Sequence, residues 1–382
     1  MAREIVYILP NAMGGVAGVV SNLIKYSTHP DIHKKVILTG PCYCKPSSIA
    51  DFGNAEVIAL PQRNPWIESR YSYAKRIAAH LSFDSVIVSN DGFPEYSMIE
   101  MLRLTNPVIA VLHGDHIHYF RGGCRYGYLI DKMICVSSYL EKKAKSSFVS
   151  TVNPVFVPFP TPDAITIPKD FNGKLKISYA GGITASKGCE NFPAVISLLD
   201  EKGIDYEFNI FGQGDLLQSL RLQLAHNNRV IFHGPQPNNV ILQALVNTHV
   251  TIHLSKNEGL PVCLVEAMKS GSVPVVFDLP TGIHDIIDHN VNGYIFTQGD
   301  IANIVNQIEL LDRDRKLLES RSKEAMAKAN LMFSPKIQTS EYERIILGTE
   351  SSPSKFENIQ SSFKKAIFQK LPIKLTETWQ RL

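Results

Sequence analysis

Short runs of β-branched and apolar residues alternate along this chain with longer segments of helical spacing, in two successive series. The first series of runs lies at residues 5–9, 36–38, 85–88, 108–112 and 132–136, and the second lies at 176–180, 206–211, 229–232, 249–254 and 274–277. Strands that are separated by helices pair in parallel, because the chain crosses back over one face of the sheet between them. The pattern predicts an α/β protein with parallel, doubly wound sheets.

A proline-rich stretch separates the two series. Residues 151–173 hold five prolines, and each fixes φ and removes a backbone donor, which interrupts regular structure. A chain of 382 residues is also long for a single hydrophobic core. We therefore predict a first domain at residues 1–168 that includes the linker, a second domain at 169–348, and a basic tail at 349–382.

Both predicted domains begin in the same way. The first strand leads into Gly14 and Gly15, and the strand at 176–180 leads into Gly181 and Gly182. A strand, a glycine turn and a helix form the phosphate-tolerant start of a Rossmann-type unit. Neither turn is a complete G-x-G-x-x-G, so neither indicates dinucleotide binding by itself. Together they predict two Rossmann-like domains that face each other across a deep cleft, with the ligand beyond the carboxyl ends of the strands.

The segment from Glu258 to Gly271 indicates a specific kind of site. Pro261 suits the first turn of a helix because it has no N–H to lose, and Gly271 suits the left-handed residue after a helix C-terminus. Glu258 then lies in the loop that enters the helix, and Glu266 projects from the second turn. The first-turn amides between them suit a phosphate. The segment predicts a site for a nucleotide diphosphate joined to a hydroxyl-rich group.

Composition and charge exclude several other classes of protein. Hydrophobic residues make up 44% and charged residues 20%, as in soluble globular proteins, and no apolar run approaches the length of a membrane span. The N-terminus lacks the apolar core of a signal peptide. The net charge is +3 and no segment is strongly basic, which argues against a nucleic-acid partner. Six scattered cysteines without metal-ligand spacing indicate reduced thiols, and we expect a cytoplasmic protein.

From Ala180 to Phe296 the chain resembles the donor domain of the family 4 retaining glycosyltransferases, which have the GT-B fold. The shared motifs are, in order, Gly181-Gly182 with Lys187-Gly188 downstream, Gly212-x-Gly214 after a strand, Gly234 after another, Glu258-x7-Glu266, Gly282-Ile283 and Asn292-Gly293-Tyr294. They cover about 120 residues. The first half resembles the family more loosely, through Gly14-Gly15 and His113-Gly114.

The resemblance implies roles for these residues. Glu266 would hold the ribose hydroxyls of the nucleotide, because a carboxylate can accept hydrogen bonds from both. Glu258 would lie beside the transferred sugar and the diphosphate. Lys187 would neutralise the leaving diphosphate and so stabilise the transition state more than the ground state. The other donor-binding positions are Gly15, Gly181, Gly212, Gly259, Leu260 and Pro261.

The resemblance also places His113 beside the donor sugar, facing the acceptor, so the expected catalytic residues are Glu258, Lys187 and His113. The cluster of His113, Asp115, His116 and His118 leaves a metal site open, although neighbouring side chains along a strand point to opposite faces. The family generally needs no metal, and we expect neither a metal nor a cofactor.

One departure from the family pattern is Gly182, where the family usually has an arginine that gives the diphosphate a second cation. Either another cation substitutes, or the helix amides and Lys187 suffice, or donor turnover is impaired. The leading hypothesis is a retaining transferase that uses a nucleotide-diphospho-sugar, with UDP favoured over GDP, in glycan, polysaccharide or glycolipid synthesis. The alternatives are a non-catalytic nucleotide-sugar-binding scaffold or partner subunit, and a nucleotide-sugar epimerase.

The acceptor, a saccharide or a lipid-linked saccharide, is expected on the first domain, whose loops at 39–73 and 114–127 carry no decisive motif. Residues there that suit a glycan are Tyr71, Tyr73, Tyr119, Arg121 and Tyr126. The tail has apolar residues at helical spacing with three nearby lysines. It suits a helix packed on the protein, or a basic amphipathic helix in peripheral contact with the inner face of a membrane.

Overall fold

The computed structural model describes residues 3–12, 14–40, 50–64, 66–90, 93–115, 120, 126–147, 152–164, 168–352 and 355–356. The chain forms two compact units: domain 1 is Met1–Pro160 together with Pro335–Leu382, and domain 2 is Thr161–Ser334. Each is built on one parallel sheet with helices between its strands, which confirms the predicted α/β fold class. Among the described residues, no helix has the length and apolar character that crossing a bilayer requires.

Domain 1 contains a seven-stranded sheet in the order β3-β2-β1-β4-β5-β6-β7, with every neighbouring pair parallel. Its strands are β1 (Ile5–Pro10), β2 (Lys34–Gly40), β3 (Glu56–Pro61), β4 (Val86–Ser89), β5 (Val108–Leu112), β6 (Lys132–Cys135) and β7 (Pro154–Phe156). The helices between them are α1 (Gly15–Lys25), α2 (Arg70–Ala78), α3 (Phe93–Leu102) and α4 (Ser138–Ser147).

Domain 2 contains a six-stranded parallel sheet in the order β10-β9-β8-β11-β12-β13. Its strands are β8 (Leu175–Ala180), β9 (Tyr206–Phe211), β10 (Val230–Gly234), β11 (Val250–His253), β12 (Val273–Phe277) and β13 (Tyr294–Phe296). Its helices are α5 (Phe192–Glu201), α6 (Leu217–Gln223), α7 (Asn238–Val246), α8 (Val262–Lys269), α9 (Ile283–Ile286), α10 (Ile301–Arg313) and α11 (Arg315–Met332).

The central strands carry the core of each domain. Side chains such as Ile8 in β1, Ile177 in β8 and Ile252 in β11 are fully buried, as expected for parallel strands that helices cover on both faces. The direction of winding reverses between β1 and β4 in domain 1 and between β8 and β11 in domain 2. At such a switch point the loops diverge from the carboxyl ends of the strands and leave room for a ligand.

Three strands lie outside the predicted apolar runs, and all are at sheet edges. β13 was indicated by the Asn292-Gly293-Tyr294 motif of the resemblance, whereas β3 and β7 were not predicted. β3 has no fully buried residue, so its sequence lacks the continuous apolar run of the central strands. β7 is three residues long and begins at Pro154 within the proline-rich stretch. An edge strand tolerates proline because one side of its backbone needs no sheet partner.

The domain boundaries differ from the predicted limits of 168 and 348. The division falls at residues 160 and 161, and a final helix, α12 (Pro335–Leu347), belongs to domain 1. The cause is a buried carboxylate on α12: Glu343 accepts hydrogen bonds from the backbone amide of Thr28 at 2.9 Å and from the hydroxyls of Thr28 and Ser27. Nothing in the sequence near residue 343 indicates this long-range partner.

The predicted tail begins as a packed segment. Lys355 is buried and donates to the Asp131 carboxylate at 2.5 Å and to the Asn106 carbonyl at 3.1 Å, both in domain 1. The Thr349 carbonyl accepts from Arg3 at 2.8 Å and the Ser352 amide donates to Asp131 at 2.8 Å, so the start of the tail is bound to domain 1. Phe356, the first of the apolar residues that suggested an amphipathic helix, is half-buried. The other apolar residues and the lysines of that pattern lie outside the described residues.

A single buried ammonium group joins the two ends of domain 2. Lys269, the last residue of α8, is 1% exposed and donates to the carbonyls of Thr161 at 2.8 Å and Phe333 at 3.2 Å. It also contacts the Asp163 carboxylate at 3.0 Å. Because Thr161 and Phe333 lie at the limits of the domain, this lysine ties α8 to both points at which the chain enters and leaves it.

Replacing Lys269 should therefore destabilise the protein. Lys269→Met keeps the aliphatic volume but removes the ammonium donor from the Thr161 carbonyl and one of the two donors to the Phe333 carbonyl, which also accepts from the Thr161 amide. We expect a loss of roughly 2–4 kcal/mol in the free energy of unfolding, measured by urea titration of the full chain. Lys174→Met is the matched control, since its side chain is 58% exposed, and should cost less than about 0.5 kcal/mol. Equal effects of the two substitutions would contradict this account.

Candidate active site

The site in domain 2 is formed by the loops that follow β8, β9 and β11 at the switch point of the sheet. Two glycines allow these loops to touch through their backbones. A Cβ on Gly188, whose φ is +70°, would lie 1.8 Å from the carbonyl oxygen of Leu254, and a Cβ on Gly212, whose φ is +131°, would lie 1.8 Å from that of Gly181. Only glycine permits these approaches. The loop that carries Lys187 is thereby held against the end of β11.

Lys187 sits on a short 3₁₀ turn, Ala185–Lys187, that Thr184 caps through its side chain. The Ser186 carbonyl accepts a hydrogen bond from the Lys256 amide at 2.9 Å, which fastens the turn to the loop after β11. These contacts bring the Lys187 ammonium to 2.5 Å from Glu258 Oε1, across 71 residues of sequence. Two residues that the sequence predicted for one site are therefore in direct contact.

Glu258 is held by donors on one of its two oxygens. Oε1 receives hydrogen bonds from Lys187 Nζ at 2.5 Å, Ser255 Oγ at 2.9 Å and His253 Nε2 at 3.1 Å. Burial alone would raise the pKa of this carboxyl, but the hydrogen bonds and charges of His253 and Lys187 outweigh it and lower the pKa to about 2. The group is ionised at neutral pH, and within the described part of the chain Oε2 has no donor.

Glu266 has the opposite electrostatic character. It is 6% exposed, and burial raises its pKa to about 7, which a hydrogen bond from Asn238 Nδ2 at 3.1 Å only partly offsets. Asn238 is the first residue of α7. The two predicted glutamates thus differ by environment: Glu258 is ionised and hydrogen-bonded to Lys187, Ser255 and His253, whereas Glu266 is buried with an amide as its partner. Opposite shifts of neighbouring acids are typical of functional sites.

The backbone between the two glutamates is the amino end of α8. The helix begins at Val262, one residue later than predicted, and Pro261 precedes it in an extended conformation without a side-chain cap. The amides of Val262 and Cys263 have no intrahelical acceptor, as in the first turn of any helix. The Gly259 carbonyl accepts from the Gly282 amide at 3.1 Å, which fixes the loop. Gly271 has a φ of +75°, as predicted for the helix end.

The backbone does not require glycine at position 182. A Cβ there would meet nothing closer than Thr184 Cγ2 at 3.9 Å, and φ is not in the left-handed region. The Gly182 carbonyl is occupied, because it accepts from Tyr179 Oη at 2.7 Å and from Cys189 Sγ at 3.6 Å. The arginine of the family pattern is therefore missing at a position with space for a side chain.

In domain 1, His113 follows β5 and contacts Asn90, which follows β4. His113 Nε2 lies 2.9 Å from Asn90 Oδ1, while Asn90 Nδ2 donates to the carbonyls of Ile8 and Val88. The asparagine oxygen therefore accepts the Nε2 proton, which leaves Nδ1 of the ring as an acceptor. Burial lowers the pKa of His113 to about 4, so the ring is neutral at pH 7. Gly15 begins α1 at the same edge of the sheet.

The metal alternative receives no support from the described part of the cluster. Asp115 is bound by Lys143 Nζ at 2.5 Å and by Tyr139 Oη at 2.8 Å, which occupy its oxygens. His116 and His118 lie outside the described residues. Across the described ranges, no three His, Cys, Asp or Glu side chains form a metal-binding group.

Of the five residues expected to suit a glycan acceptor, two are buried in the structure. Tyr73 is buried, and its hydroxyl donates to the Leu60 carbonyl at 2.7 Å and accepts from the Gly40 amide at 2.9 Å, so it stabilises the sheet edge. Tyr126 is also buried. Tyr71 is half-buried, with the Lys75 ammonium 4.8 Å above its ring. Tyr119 and Arg121 lie outside the described residues.

The architecture of the chain is the GT-B fold. The pneumococcal O-GlcNAc transferase GtfA, solved in complex with UDP and GlcNAc, is similar to this chain with a TM-score of 0.76 and 13% identity over 91% of this chain and 99% of that one. Residues 163–328, which lie within domain 2, match the family model of the group 1 glycosyl transferases. Domain 2 is thus similar to this family.

Relatives of this chain are named as glycosyltransferases too, and each matches only part of the chain. The lipopolysaccharide 1,6-galactosyltransferase of Escherichia coli K12 is 25% identical over 55% of this chain and 58% of its own length. The amylovoran biosynthesis glycosyltransferase AmsK of Erwinia amylovora is 31% identical over 35% of this chain and 37% of its own length. The chain thus spans less than two thirds of the length of either relative.

The raised pKa of Glu266 predicts a distinctive dependence of stability on pH. Between its ordinary pKa of 4.5 and about 7, the folded state binds more protons than the unfolded state, so stability falls as the pH rises through this window. Glu266→Gln removes the titrating group. We expect wild type and variant to be similarly stable at pH 5, and the variant to be more stable at pH 8 by roughly 2–3 kcal/mol.

Urea titrations at the two pH values measure this difference. Glu324→Gln is the control, because Glu324 is an exposed glutamate in the same domain. A stability difference for Glu266→Gln that is equal at pH 5 and pH 8 would show that the buried carboxyl does not titrate as described.

Proposed function

We propose that this protein is a retaining glycosyltransferase that moves a sugar from a nucleotide-diphospho-sugar to an acceptor hydroxyl. The observation that carries the proposal is the contact between Lys187 and Glu258 beside the amino end of α8, with Glu266 on the same helix. This arrangement offers a cation and helix amides to a diphosphate, a fixed carboxylate to a sugar and a buried carboxyl to a ribose.

The diphosphate would bind at the first turn of α8. The amides of Val262 and Cys263 and the partial positive charge of the helix end favour an anion. Lys187, whose side chain is one third exposed, would contact the diphosphate while it remains paired with Glu258. As the bond from C1 of the sugar to the phosphate oxygen breaks, negative charge grows on the diphosphate, and these fixed groups stabilise it.

The transferred sugar would be held by Glu258 Oε2. Because Lys187, Ser255 and His253 all donate to Oε1, the carboxylate keeps its orientation and charge while Oε2 can accept a sugar hydroxyl. Such preorganisation reduces the cost of orienting the substrate. A carboxylate with a pKa of about 2 would also resist protonation throughout the physiological range.

The ribose would bind at Glu266. Hydroxyl donors favour the ionised carboxylate, so nucleotide binding would lower the raised pKa of this group and release a proton near pH 7.

In the transfer step the acceptor oxygen would attack C1 from the face that the diphosphate leaves, and its proton would pass to the departing phosphate oxygen. This route retains the anomeric configuration. We propose for His113 the role that the resemblance implies, since its ring is neutral and has Nδ1 as an acceptor.

The comparisons support a uridine nucleotide and a surface-polysaccharide context. GtfA was solved with UDP and GlcNAc, and the E. coli and Erwinia relatives act in lipopolysaccharide and amylovoran synthesis by their names. We propose for this chain a UDP-sugar donor, no metal cofactor, and a saccharide or lipid-linked saccharide acceptor. We also propose that the protein acts in the cytoplasm, in peripheral contact with the inner face of a membrane.

Donor-dependent transfer with identification of the product anomer tests the proposal. A panel of UDP- and GDP-sugars is incubated with saccharide acceptors, and NMR of the product reports the configuration at C1. We expect turnover with a UDP-sugar and retention of configuration. An inverted product, or no turnover with any donor, would contradict the proposed mechanism.

Variants of the ion pair test its residues. Glu258→Gln and Lys187→Ala should each lower kcat/KM by at least ~10²-fold, because each removes fixed charge from the site. The control is Lys256→Ala, an exposed lysine of the neighbouring loop that pairs with Glu190, which should change kcat/KM by less than about threefold. A loss of similar size in the control would indicate a general electrostatic effect instead.

A non-catalytic nucleotide-sugar-binding protein is the second candidate, and Gly182 favours it. The diphosphate site lacks the second cation of the family pattern, and the remaining cation, Lys187, already neutralises Glu258. Calorimetric binding of a UDP-sugar without transfer would support this candidate. An epimerase would instead consume the nucleotide sugar without releasing nucleotide, which the same transfer assay measures.

A further inference from the structure

Two large apolar side chains stand adjacent and exposed in the turn between β3 and α2 of domain 1. Trp66 is 62% exposed and Ile67 is 77% exposed. Single exposed apolar residues are common on protein surfaces, but an exposed tryptophan beside an exposed isoleucine places a large apolar area at one point. We call these two residues the Trp66–Ile67 tip.

The tip is presented by a well-bonded turn. The Asn64 carbonyl accepts from the amides of Ile67 at 3.0 Å and Glu68 at 2.9 Å, and the Asn64 side chain accepts from the Trp66 amide at 3.0 Å. Glu68 is buried, pairs with Arg76 at 2.6 Å and accepts from the Arg63 amide at 2.7 Å. These bonds anchor the turn to α2 at its base, so the exposure of the two apolar side chains is built into the fold.

The segment around the tip is basic. Residues 61–76 contain four Lys or Arg residues and one acidic residue, Glu68, which gives a net charge of +3. Glu68 is buried and paired with Arg76, so it presents no carboxylate at the surface. Arg63 and Lys75 are exposed on either side of the tip in sequence. An apolar point flanked by cations is complementary to an anionic lipid surface.

The position of the tip in the sheet also supports an anionic lipid surface as its partner. β3 runs parallel to β2 and β1, so the turn that follows it lies at the carboxyl edge of the sheet, with Gly15 and His113. Phe83, which is 90% exposed, precedes β4 and lies at the opposite edge. The Trp66–Ile67 tip therefore lies at the edge of the domain 1 sheet where a ligand of this fold binds.

We propose that the Trp66–Ile67 tip is a membrane-docking surface that inserts into the interfacial region of an anionic bilayer. The indole ring suits the headgroup level, where its apolar body and its N–H are both accommodated, and Ile67 adds apolar contact below it. Arg63 and Lys75 contact lipid phosphates. This surface does not depend on transferase activity, and it accounts for how a protein with this fold reaches a lipid-borne ligand.

Vesicle binding of the full chain tests the proposal. Wild type should cosediment with phosphatidylcholine–phosphatidylglycerol vesicles, and much less with pure phosphatidylcholine. The double variant Trp66→Ser/Ile67→Ser should lower the partition coefficient at least ~10-fold, while Phe83→Ser, the matched loss of an exposed aromatic at the opposite edge, should change it less than about twofold. Urea titration confirms that each variant is folded. Undiminished binding of the double variant, or an equal loss with Phe83→Ser, would overturn the proposal.

Tryptophan fluorescence gives a second readout that does not depend on a destabilising change. The chain has two tryptophans, Trp66 and Trp379, so Trp379→Phe leaves Trp66 as the sole emitter. Its emission should shift to shorter wavelength on anionic vesicles and should be quenched by brominated lipid. Emission that does not respond to vesicles would overturn the proposal and show that Trp66 stays in water. Emission that responds only to soluble saccharides would also overturn it and would indicate that the tip binds a saccharide acceptor instead.

Discussion

The convergence of three donors on one oxygen of Glu258 is the interaction on which the site of domain 2 depends. It joins the loop after β8 to the loop after β11 through the contact of Lys187 with Glu258, and it keeps a buried carboxylate ionised. Burying a charge is costly unless it is paired and hydrogen-bonded. Here the hydrogen bonds from Lys187, Ser255 and His253 offset that cost and orient the carboxylate, so that Oε2 would be left for a substrate. The same charges hold a cation beside the amino end of α8, so in the proposed function one arrangement would prepare both the sugar and the diphosphate positions.

The sheet topology and two glycines make this convergence geometrically possible. β8 and β11 are neighbours at the switch point, and the close backbone approaches at Gly188 and Gly212 leave no space for any side chain. The helix that follows then ties the site to the limits of domain 2 through Lys269. A change in α8 would therefore disturb both points where the chain passes into domain 1. Fold and site are not separable in this domain, because the same short loops serve both.

The sequence predicted the features that depend on local pattern and left out those that depend on distant partners. The central strands, α8 and the place of Glu258 and Glu266 around its first turns follow from apolar runs, Pro261 and Gly271. The supporting residues His253, Ser255 and Asn238 gave no signal, because a histidine or an asparagine near a strand or helix end is common. The boundary at residue 335 was missed because Glu343 binds Ser27 and Thr28, more than 300 residues away in sequence.

A crystal structure of the protein with UDP would show whether this convergence forms the nucleotide site. We expect the β-phosphate within hydrogen-bond distance of the Val262 and Cys263 amides and of the Lys187 ammonium, with the ribose hydroxyls at Glu266 and with Glu258 Oε2 facing the open position beyond the phosphate. A diphosphate bound elsewhere, or a Glu258 that leaves Lys187, Ser255 and His253 when the nucleotide binds, would contradict it.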